Sequence, residues 1–169
     1  MQMKIDIKSM LLGSVLTAAV ILSVAATTTN GPADRLIPAT GENQMERVNG
    51  IGGVFFKARD PKKMAAWYRD RLGIPNKGGY AVFAWREKDN ASRLGQTVWT
   101  LFPTNITYFG SSTAPMMINY RVANLERLLA QLRRDGVVVE KAEDLAYGRF
   151  AWITDPEGNR IELWEPKGK

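Results

Sequence analysis

An internal repeat constrains the fold of this chain more than any other feature of its sequence. Residues 53–74 and 117–137 follow one pattern, in which a strand of alternating character leads through an Asx residue into an amphipathic segment and a glycine. The two copies align at an offset of 64, which places Val54 over Ile118. The repeat therefore predicts a domain built from two similar modules.

Each copy carries the signals that start and end a helix. Asp60 and Asn124 suit the N-cap, Pro61 suits the first helical position, and Gly73 and Gly136 suit the C-terminal end. The predicted apolar stripes are Met64, Trp67, Tyr68 and Leu72 in the first helix, and Leu125, Leu128, Leu129 and Leu132 in the second. Because apolar residues at helical spacing face the core, we expect the stripes, including Trp67 and Tyr68, to be buried.

Strand-like runs follow each predicted helix. They are residues 80–87 and 96–103 after the first helix, and 137–142, 148–154 and 159–165 after the second. Asp-Pro-Glu-Gly at 155–158 has proline and glycine where a type I turn favours them, and it joins the last two runs. The sequence thus predicts an α+β domain of two βαβββ-like modules, at about 49–113 and 114–166.

Composition limits the chemistry that this chain can perform. The sequence contains neither cysteine nor histidine, which excludes disulfides, thiol nucleophiles, iron–sulfur clusters and histidine acid–base catalysis. A metal would therefore depend on carboxylate and other oxygen ligands. The net charge of +6 and pI of about 9.7 favour anionic small molecules. Because basic and acidic residues alternate along the chain, no nucleic-acid partner is expected.

The N-terminal part of the sequence does not resemble a domain. Residues 1–9 carry two lysines and precede an uncharged apolar stretch, residues 10–26, a pattern typical of a secretory signal. Its length also suits an uncleaved membrane anchor, so both interpretations of residues 1–26 stay open. Residues 27–46 are expected to form a flexible spacer, and 47–169 the folded domain. The protein is thus expected to be exported to the periplasm or cell exterior, or anchored by residues 10–26, with membrane contact only if that segment is retained.

The repeat, the run KARDPKKMAAWYRDRLG at 57–73 and the closing DPEGNRIELWEP at 155–166 resemble the vicinal oxygen chelate superfamily. This is the glyoxalase, bleomycin-resistance and dioxygenase group of proteins, and the resemblance spans about residues 49–166. It implies a mixed sheet whose two halves curl into a cup. It also implies a divalent metal, held by one residue from the first and one from the last strand of each module. Together with exposed sheet edges, the resemblance suggests a homodimer.

Strand alternation selects the residues that would line this cup. The expected ligand contacts are Phe55, Lys57, Thr100, Phe102, Met117, Asn119, Arg121 and Trp164. The four metal positions of the superfamily fall on Gly53, Thr100, Met117 and Glu162. Among these four residues, only Glu162 binds a hard cation well. We therefore expect no cofactor, with a divalent metal bound through Glu162 as the alternative.

Two functions follow from these residues. The first is metal-free binding of an aromatic or anionic small molecule in an aromatic cup, with Lys57 and Arg121 as a clamp for an anion. The second is a lyase-like, isomerase-like or dioxygenase-like enzyme that uses Glu162 as general acid–base or metal ligand. A purely structural role also remains, in which Glu162 pairs with Lys57, Arg121 or Arg160.

Overall fold

The computed structural model describes residues 45–88 and 90–167, which fold into seven strands and two α-helices. The elements are β1 (Val48–Ala58), α1 (Pro61–Leu72), β2 (Tyr80–Arg86), β3 (Leu94–Pro103), a short 3-10 helix (Thr107–Phe109), β4 (Met116–Val122), α2 (Leu125–Arg134), β5 (Val139–Leu145), β6 (Gly148–Thr154) and β7 (Arg160–Pro166). The predicted signal or anchor at 1–26 and nearly all of the spacer lie outside the described residues. Within the described residues, no helix has the length and apolar character needed to cross a membrane.

The strands form one mixed sheet in the order β2-β3-β1-β4-β7-β6-β5. β1 runs parallel to β3 and β4 runs parallel to β7, whereas the other neighbours are antiparallel. Val54 and Ile118, which match in the repeat, also face each other in the β1–β4 pairing. A pseudo-twofold axis therefore passes between these two residues and relates the modules. The predicted α+β class and the central place of the repeat are confirmed.

The first module is shorter than predicted. Among the described residues, two strands follow α1 and three follow α2, so the modules are βαββ and βαβββ rather than two βαβββ units. The segment between α1 and β2 does not form the missing outer strand, because Pro75 lacks a donor and Gly78 and Gly79 adopt positive φ. The buried side chain of Asn76 organises this segment instead. Its Nδ2 donates to the carbonyl of Ala65 at 2.9 Å, and its Oδ1 accepts from the backbone of Gly79 at 3.3 Å.

The two helices pack on one face of the sheet, but they bury their apolar residues unequally. α2 buries Leu125, Leu128 and Leu129 against β6 and β7, as predicted. α1 begins at its predicted cap, where Asp60 accepts from the backbone of Lys63 at 3.0 Å. Its contact with the sheet, however, is made by Ala65 and Tyr68, which pack near Trp99 and Leu101.

The predicted burial of the α1 stripe is therefore wrong for three of its four residues. Met64, Trp67 and Leu72 are exposed, and only Tyr68 packs against the sheet. Because Ala65 is small, the side of the helix that carries Ala65 and Tyr68 lies against the strands. The side that carries Met64 and Trp67 then faces solvent. Helical spacing identifies a stripe, but the strands available to cover it decide whether that stripe is buried.

The opposite face of the sheet carries a second core, which we call the cup cluster. Its buried members are Phe55, Phe102, Phe109, Met117, Phe150 and Trp152. Tyr108, Tyr147 and Trp164 are partly buried against it. These side chains come from both modules and from the segment after β3. The cup implied by the sequence therefore exists as one face of the sheet, and aromatic side chains fill it.

Replacing Asn76 with aspartate should destabilise the domain, because a carboxylate cannot donate to the carbonyl of Ala65. We expect the free energy of unfolding at neutral pH to fall by about 2 kcal/mol in urea denaturation. Asn105→Asp, an exposed change in the loop after β3, is the matched control and should cost far less. Equal midpoints for the two variants would contradict the structural role assigned to Asn76.

Candidate functional site

Glu162 lies at the centre of the cup face. It follows Ile161 and precedes Leu163 on β7, and both neighbours pack into the core under α2. Since side chains alternate along a strand, Glu162 points to the opposite face, among the aromatic residues of the cup cluster. It is only 1% exposed. The sheet has therefore placed a carboxyl group where water does not reach it.

Three side chains donate hydrogen bonds to this carboxyl group. Nδ2 of Asn119 donates at 2.5 Å, Nε1 of Trp152 donates at 3.0 Å, and the hydroxyl of Tyr108 donates to the same oxygen as Trp152. Strand register explains the first two contacts. Asn119 faces Glu162 in the β4–β7 pairing, and Trp152 faces it in the β6–β7 hairpin. The polar centre of the cup is thus built almost entirely by the second module.

Burial dominates the electrostatics of the site. Removal from water raises the pKa of Glu162 from 4.5 to about 7, although hydrogen bonds from Tyr108, Asn119 and Trp152 and the charge of Arg160 act in the opposite direction. Burial, followed by the proximity of Glu162, raises the pKa of Tyr108 well above its usual value. Tyr108 therefore keeps its proton and remains a donor, while Glu162 changes charge near neutral pH.

The segment 104–115 closes the cup, and we call it the cover loop. Tyr108 stacks on Phe102 with ring centroids 5.5 Å apart, and Phe109 is buried beneath the loop. Nζ of Lys57 donates to the carbonyl of Ser112 at 2.7 Å and lies 4.8 Å from the centroid of the Phe109 ring. The loop is thus attached to the sheet by polar contacts with Lys57 and Glu162 and by its own aromatic side chains.

The far side of the cover loop is attached to the β6–β7 turn. Oγ of Ser112 donates to the carbonyl of Gly158 at 2.8 Å. The guanidinium of Arg160 lies so close to Gly110 that a Cβ there would come within 1.6 Å of Nη1. Gly110 also adopts a φ of 57°, a backbone conformation that favours glycine at this position. Tyr108 and this loop therefore cover Glu162 on the cup face.

Most of the residues expected in the cup lie on its face. Phe55, Phe102 and Met117 belong to the cup cluster, and Trp164 packs against it. Thr100 is buried opposite Phe55 in the β1–β3 pairing, and Asn119 contacts Glu162 directly. The structure therefore gathers six of the eight predicted contact residues around one centre.

Lys57 and Arg121 do not converge on a common anion. Arg121 is paired with Gly50 across β1 and β4, and Lys57 lies seven residues further along β1, roughly 20 Å away at the usual rise per residue. Arg121 contacts Glu87 at 3.0 Å and Asn49 at 2.9 Å. The two cations serve separate structural contacts and do not form a clamp.

A direct ion pair with Glu162 is not formed either. Within the part of the chain that the structure describes, Lys57 and Arg121 have the other partners given above, and Arg160 pairs with Glu140 at 3.2 Å. Arg160 acts on Glu162 only through its charge. The structural role proposed for Glu162 from sequence is therefore corrected, since its partners are neutral donors.

The residues at the four metal positions do not fit a divalent cation. The ring of Phe55 lies 2.7 Å from where a Cβ at Gly53 would be, so it fills the place of a ligand there. Met117 is a soft thioether in the cup cluster, and Thr100 is neutral. Glu162 accepts from Nδ2 of Asn119 and Nε1 of Trp152, and neither nitrogen can coordinate a metal while it carries its hydrogen. The described residues contain no group of three Asp or Glu side chains near enough to share a cation.

Two partners of Glu162 were not assigned that role from sequence. They are Trp152 and Tyr108. The turn at 155–158 sets the hairpin register and places Trp152 opposite Glu162, so this contact had a sequence signal. Tyr108 belongs to a loop, and no periodicity in the sequence specifies where a loop side chain points.

Comparisons with known proteins bear on the fold. No family model matches the sequence, and no curated protein matches it. Among solved structures, a variant of methylmalonyl-CoA epimerase from Streptomyces coelicolor in complex with 2-nitronate-propionyl-CoA is 15% identical, with a TM-score of 0.52 over 72% of this chain and 100% of that one. A methylmalonyl-CoA epimerase in complex with methylmalonyl-CoA and NH4+ is 14% identical, with a TM-score of 0.53 over 72% and 97%.

A glyoxalase/bleomycin resistance protein/dioxygenase superfamily member from Vibrio splendidus is 13% identical, with a TM-score of 0.44 over 71% of this chain and 98% of that one. The two epimerases, with TM-scores above 0.5, span nearly their whole length on this domain. The domain has a vicinal oxygen chelate fold. The resemblance noted in the sequence is thereby confirmed at the level of the fold.

The raised pKa of Glu162 makes stability depend on pH. Below pH 4.5 the carboxyl is protonated in both the folded and unfolded states. Between pH 4.5 and about 7 only the unfolded state loses the proton, so the free energy of unfolding should fall with rising pH, by about 3 kcal/mol in total. Glu162→Gln, which mimics the protonated acid, should remove this slope in urea denaturation across that range.

Glu157→Gln is the matched control, since it removes an exposed carboxylate from the turn that precedes β7. This variant should keep the slope of the parent protein. A Glu162→Gln variant whose stability still falls by the same amount over this pH range would show that another group titrates.

Proposed function

We propose that this protein binds a small aromatic molecule in the cup without a metal. The observation that carries the proposal is the state of Glu162, a buried carboxyl group surrounded by aromatic rings and held by neutral donors. Apolar walls with a few polar groups are characteristic of small-molecule sites. The metal positions are occupied by residues of another chemistry, so the polar centre offers hydrogen bonding in place of coordination.

Tyr108 suggests the chemical class of the ligand. Its phenol ring stacks on Phe102 and its hydroxyl donates to Glu162, so the cover loop presents a phenol to the site. A ligand that displaces Tyr108 gains the same two contacts if it is an aromatic ring bearing a hydroxyl or amino donor. Because Lys57 and Arg121 do not form a clamp, this class is favoured over an anionic ligand.

Buried polar atoms near the cup cluster are consistent with a polar ligand. Within the described residues, Oδ1 of Asn119, the hydroxyl of Tyr147 and Nε1 of Trp164 are buried and have no hydrogen-bond partner. The rings of Tyr147 and Trp164 both lie against Phe150. Since buried polar groups are normally paired, these atoms are places where a bound molecule gains hydrogen bonds.

The place of action and assembly are part of the same proposal. The apolar segment 10–26 supports export or membrane anchoring, so the ligand would be met outside the cytoplasm. The free edges at β2 and β5 leave room for a homodimer in which the cup faces stay separate. Neither feature changes the chemistry proposed for Glu162.

Small phenols should bind this protein more tightly than their methyl ethers, because only the phenol can donate to Glu162. Calorimetry with phenol and p-cresol against anisole measures this difference, and Tyr108→Ala should strengthen binding by removing the competing ring. Glu162→Gln keeps an acceptor and should lower affinity by about tenfold at most. If neither the parent nor Tyr108→Ala binds a phenol, the proposed ligand class is wrong.

Acid–base catalysis by Glu162 is the second candidate function. A pKa of about 7 lets the group both accept and donate protons at neutral pH, which suits a general acid–base. The same fold is used by the two epimerases, so enzymatic activity is compatible with it. An enzyme of this kind would lose turnover by a factor of about 100 or more in Glu162→Gln, whereas a binding protein keeps most of its affinity.

Divalent metals should not stabilise this protein, because the four metal positions lack a set of suitable ligands. We expect Mg²⁺, Mn²⁺ and Zn²⁺ to leave the thermal midpoint unchanged and the purified protein to contain no stoichiometric metal. Tightly bound metal that disappears in Glu162→Gln, but not in Glu157→Gln, would overturn the metal-free proposal.

A further inference from the structure

The outer face of α1 exposes large apolar side chains. Met64 is 41% exposed, Trp67 51% and Leu72 60%. In the internal repeat Met64 matches Leu128, which is 6% exposed on α2, and Trp67 matches the polar residue Gln131. In the second module one of these positions is buried and the other is polar. In the first module both are apolar and exposed. The repeat thus provides an internal reference against which α1 is unusual.

Two structural features hold these side chains outward. α2 is in contact with β5, whereas among the described residues the first module has no strand in the matching place beside β2. The ring of Trp67 rests edge-on against Tyr68 at 5.2 Å, and Tyr68 packs against Trp99 at 4.9 Å. A ring already fixed to the sheet therefore supports Trp67 at the surface. Adjoining exposed apolar side chains of this size mark an interaction site more often than scattered ones do.

Positive charge surrounds the exposed apolar residues. Segment 59–72 has two acidic residues, Asp60 and Asp70, and five basic ones, Arg59, Lys62, Lys63, Arg69 and Arg71, which gives a net charge of +3. Asp60 caps the helix and Asp70 pairs with Arg69 at 2.9 Å. In the described part of the chain, the side chains of the other four basic residues form no ion pair.

Helical spacing places apolar and basic residues together on one side of α1. Met64, Trp67 and Arg71 are three and four residues apart, and Lys63 precedes Trp67 by four, so these side chains are neighbours. We call this set the α1 face. Apolar and aromatic residues next to lysine and arginine are typical of a helix that lies in the interface of a membrane.

We propose that the α1 face binds the surface of an anionic lipid bilayer. Trp67 would insert at the level of the headgroups, where tryptophan is favoured, and Met64 beside it would enter the acyl boundary. Lys63 and Arg71 would contact the acidic headgroups. The charge of the face is complementary to an anionic membrane.

The size of the face favours a lipid surface over a protein partner. α1 has 12 residues and is about 18 Å long at the usual rise, which makes a stripe far smaller than the ~800 Å² per partner of a stable protein interface. A second copy of this chain would also oppose its own positive charge if it docked through the same face. A bilayer imposes neither limit.

The apolar segment at 10–26 gives the α1 face a role whenever that segment remains in the membrane. Residues 27–46 then join that segment to the domain, and a chain of 20 residues spans about 70 Å at most. A tether raises the effective concentration of a weakly binding face near the surface. The α1 face would therefore determine how the cup is oriented relative to the bilayer.

The sequence contains no cysteine, so a single introduced cysteine can be labelled with an environment-sensitive fluorophore. Met64→Cys reports on the α1 face, and Ala130→Cys, on the exposed side of α2, is the control. The full chain is reconstituted in vesicles of phosphatidylcholine with or without phosphatidylglycerol. The full chain carries residues 10–26 in both kinds of vesicle, so a difference between them isolates the contribution of headgroup charge.

We expect the label at position 64 to shift to shorter wavelength and gain intensity several-fold on anionic vesicles, and the label at 130 to change little. Raised salt and the combined change Lys63→Glu and Arg71→Glu should abolish the effect, whereas the matched pair Arg133→Glu and Arg134→Glu should not. Equal responses at both positions, or no response at position 64, would overturn the proposal. So would a shift without vesicles that grows with protein concentration, which would indicate a second copy on the face.

Discussion

A carboxyl group that is removed from water needs hydrogen-bond donors, and Glu162 obtains them from two strands and one loop. Asn119 comes from β4, Trp152 from β6 and Tyr108 from the cover loop. These contacts connect strands β4, β6 and β7 of the second module to the cover loop. Their energy does not cancel the cost of desolvation, and the pKa of Glu162 therefore remains near 7.

Comparison of the two modules across the pseudo-twofold axis shows that the site is asymmetric. Asn119 faces Glu162 in the second module, and the equivalent pair in the first module is Phe55 and Thr100. One half of the cup thus has a carboxyl group and an amide at its centre, whereas the other has a phenyl ring and a hydroxyl. The ring of Phe55 also fills the space beside Gly53, the first of the four metal positions.

The two modules also differ on the helix side of the sheet. Among the described residues, the second module has three strands after its helix and buries the leucines of α2. The first module has two, so β2 is the edge strand on its side of the sheet, and Trp67 and Met64 are exposed. An outer strand would have covered part of α1. In the described chain a short segment organised around Asn76 lies there instead, and α1 presents an apolar and basic surface. The buried carboxyl group of Glu162 therefore belongs to the second module, and the exposed α1 face belongs to the first.

Local signals were sufficient to predict much of this fold from sequence. The cap at Asp60, the turn at 155–158 and strict strand alternation act through neighbouring residues, so they fixed both helices, the last hairpin and the cup side of Glu162. Non-local packing decided the rest. Whether Trp67 is covered depends on a distant strand, and whether Tyr108 reaches Glu162 depends on the path of a loop. The charge state of Glu162 followed only from how completely the tertiary structure excludes water from it.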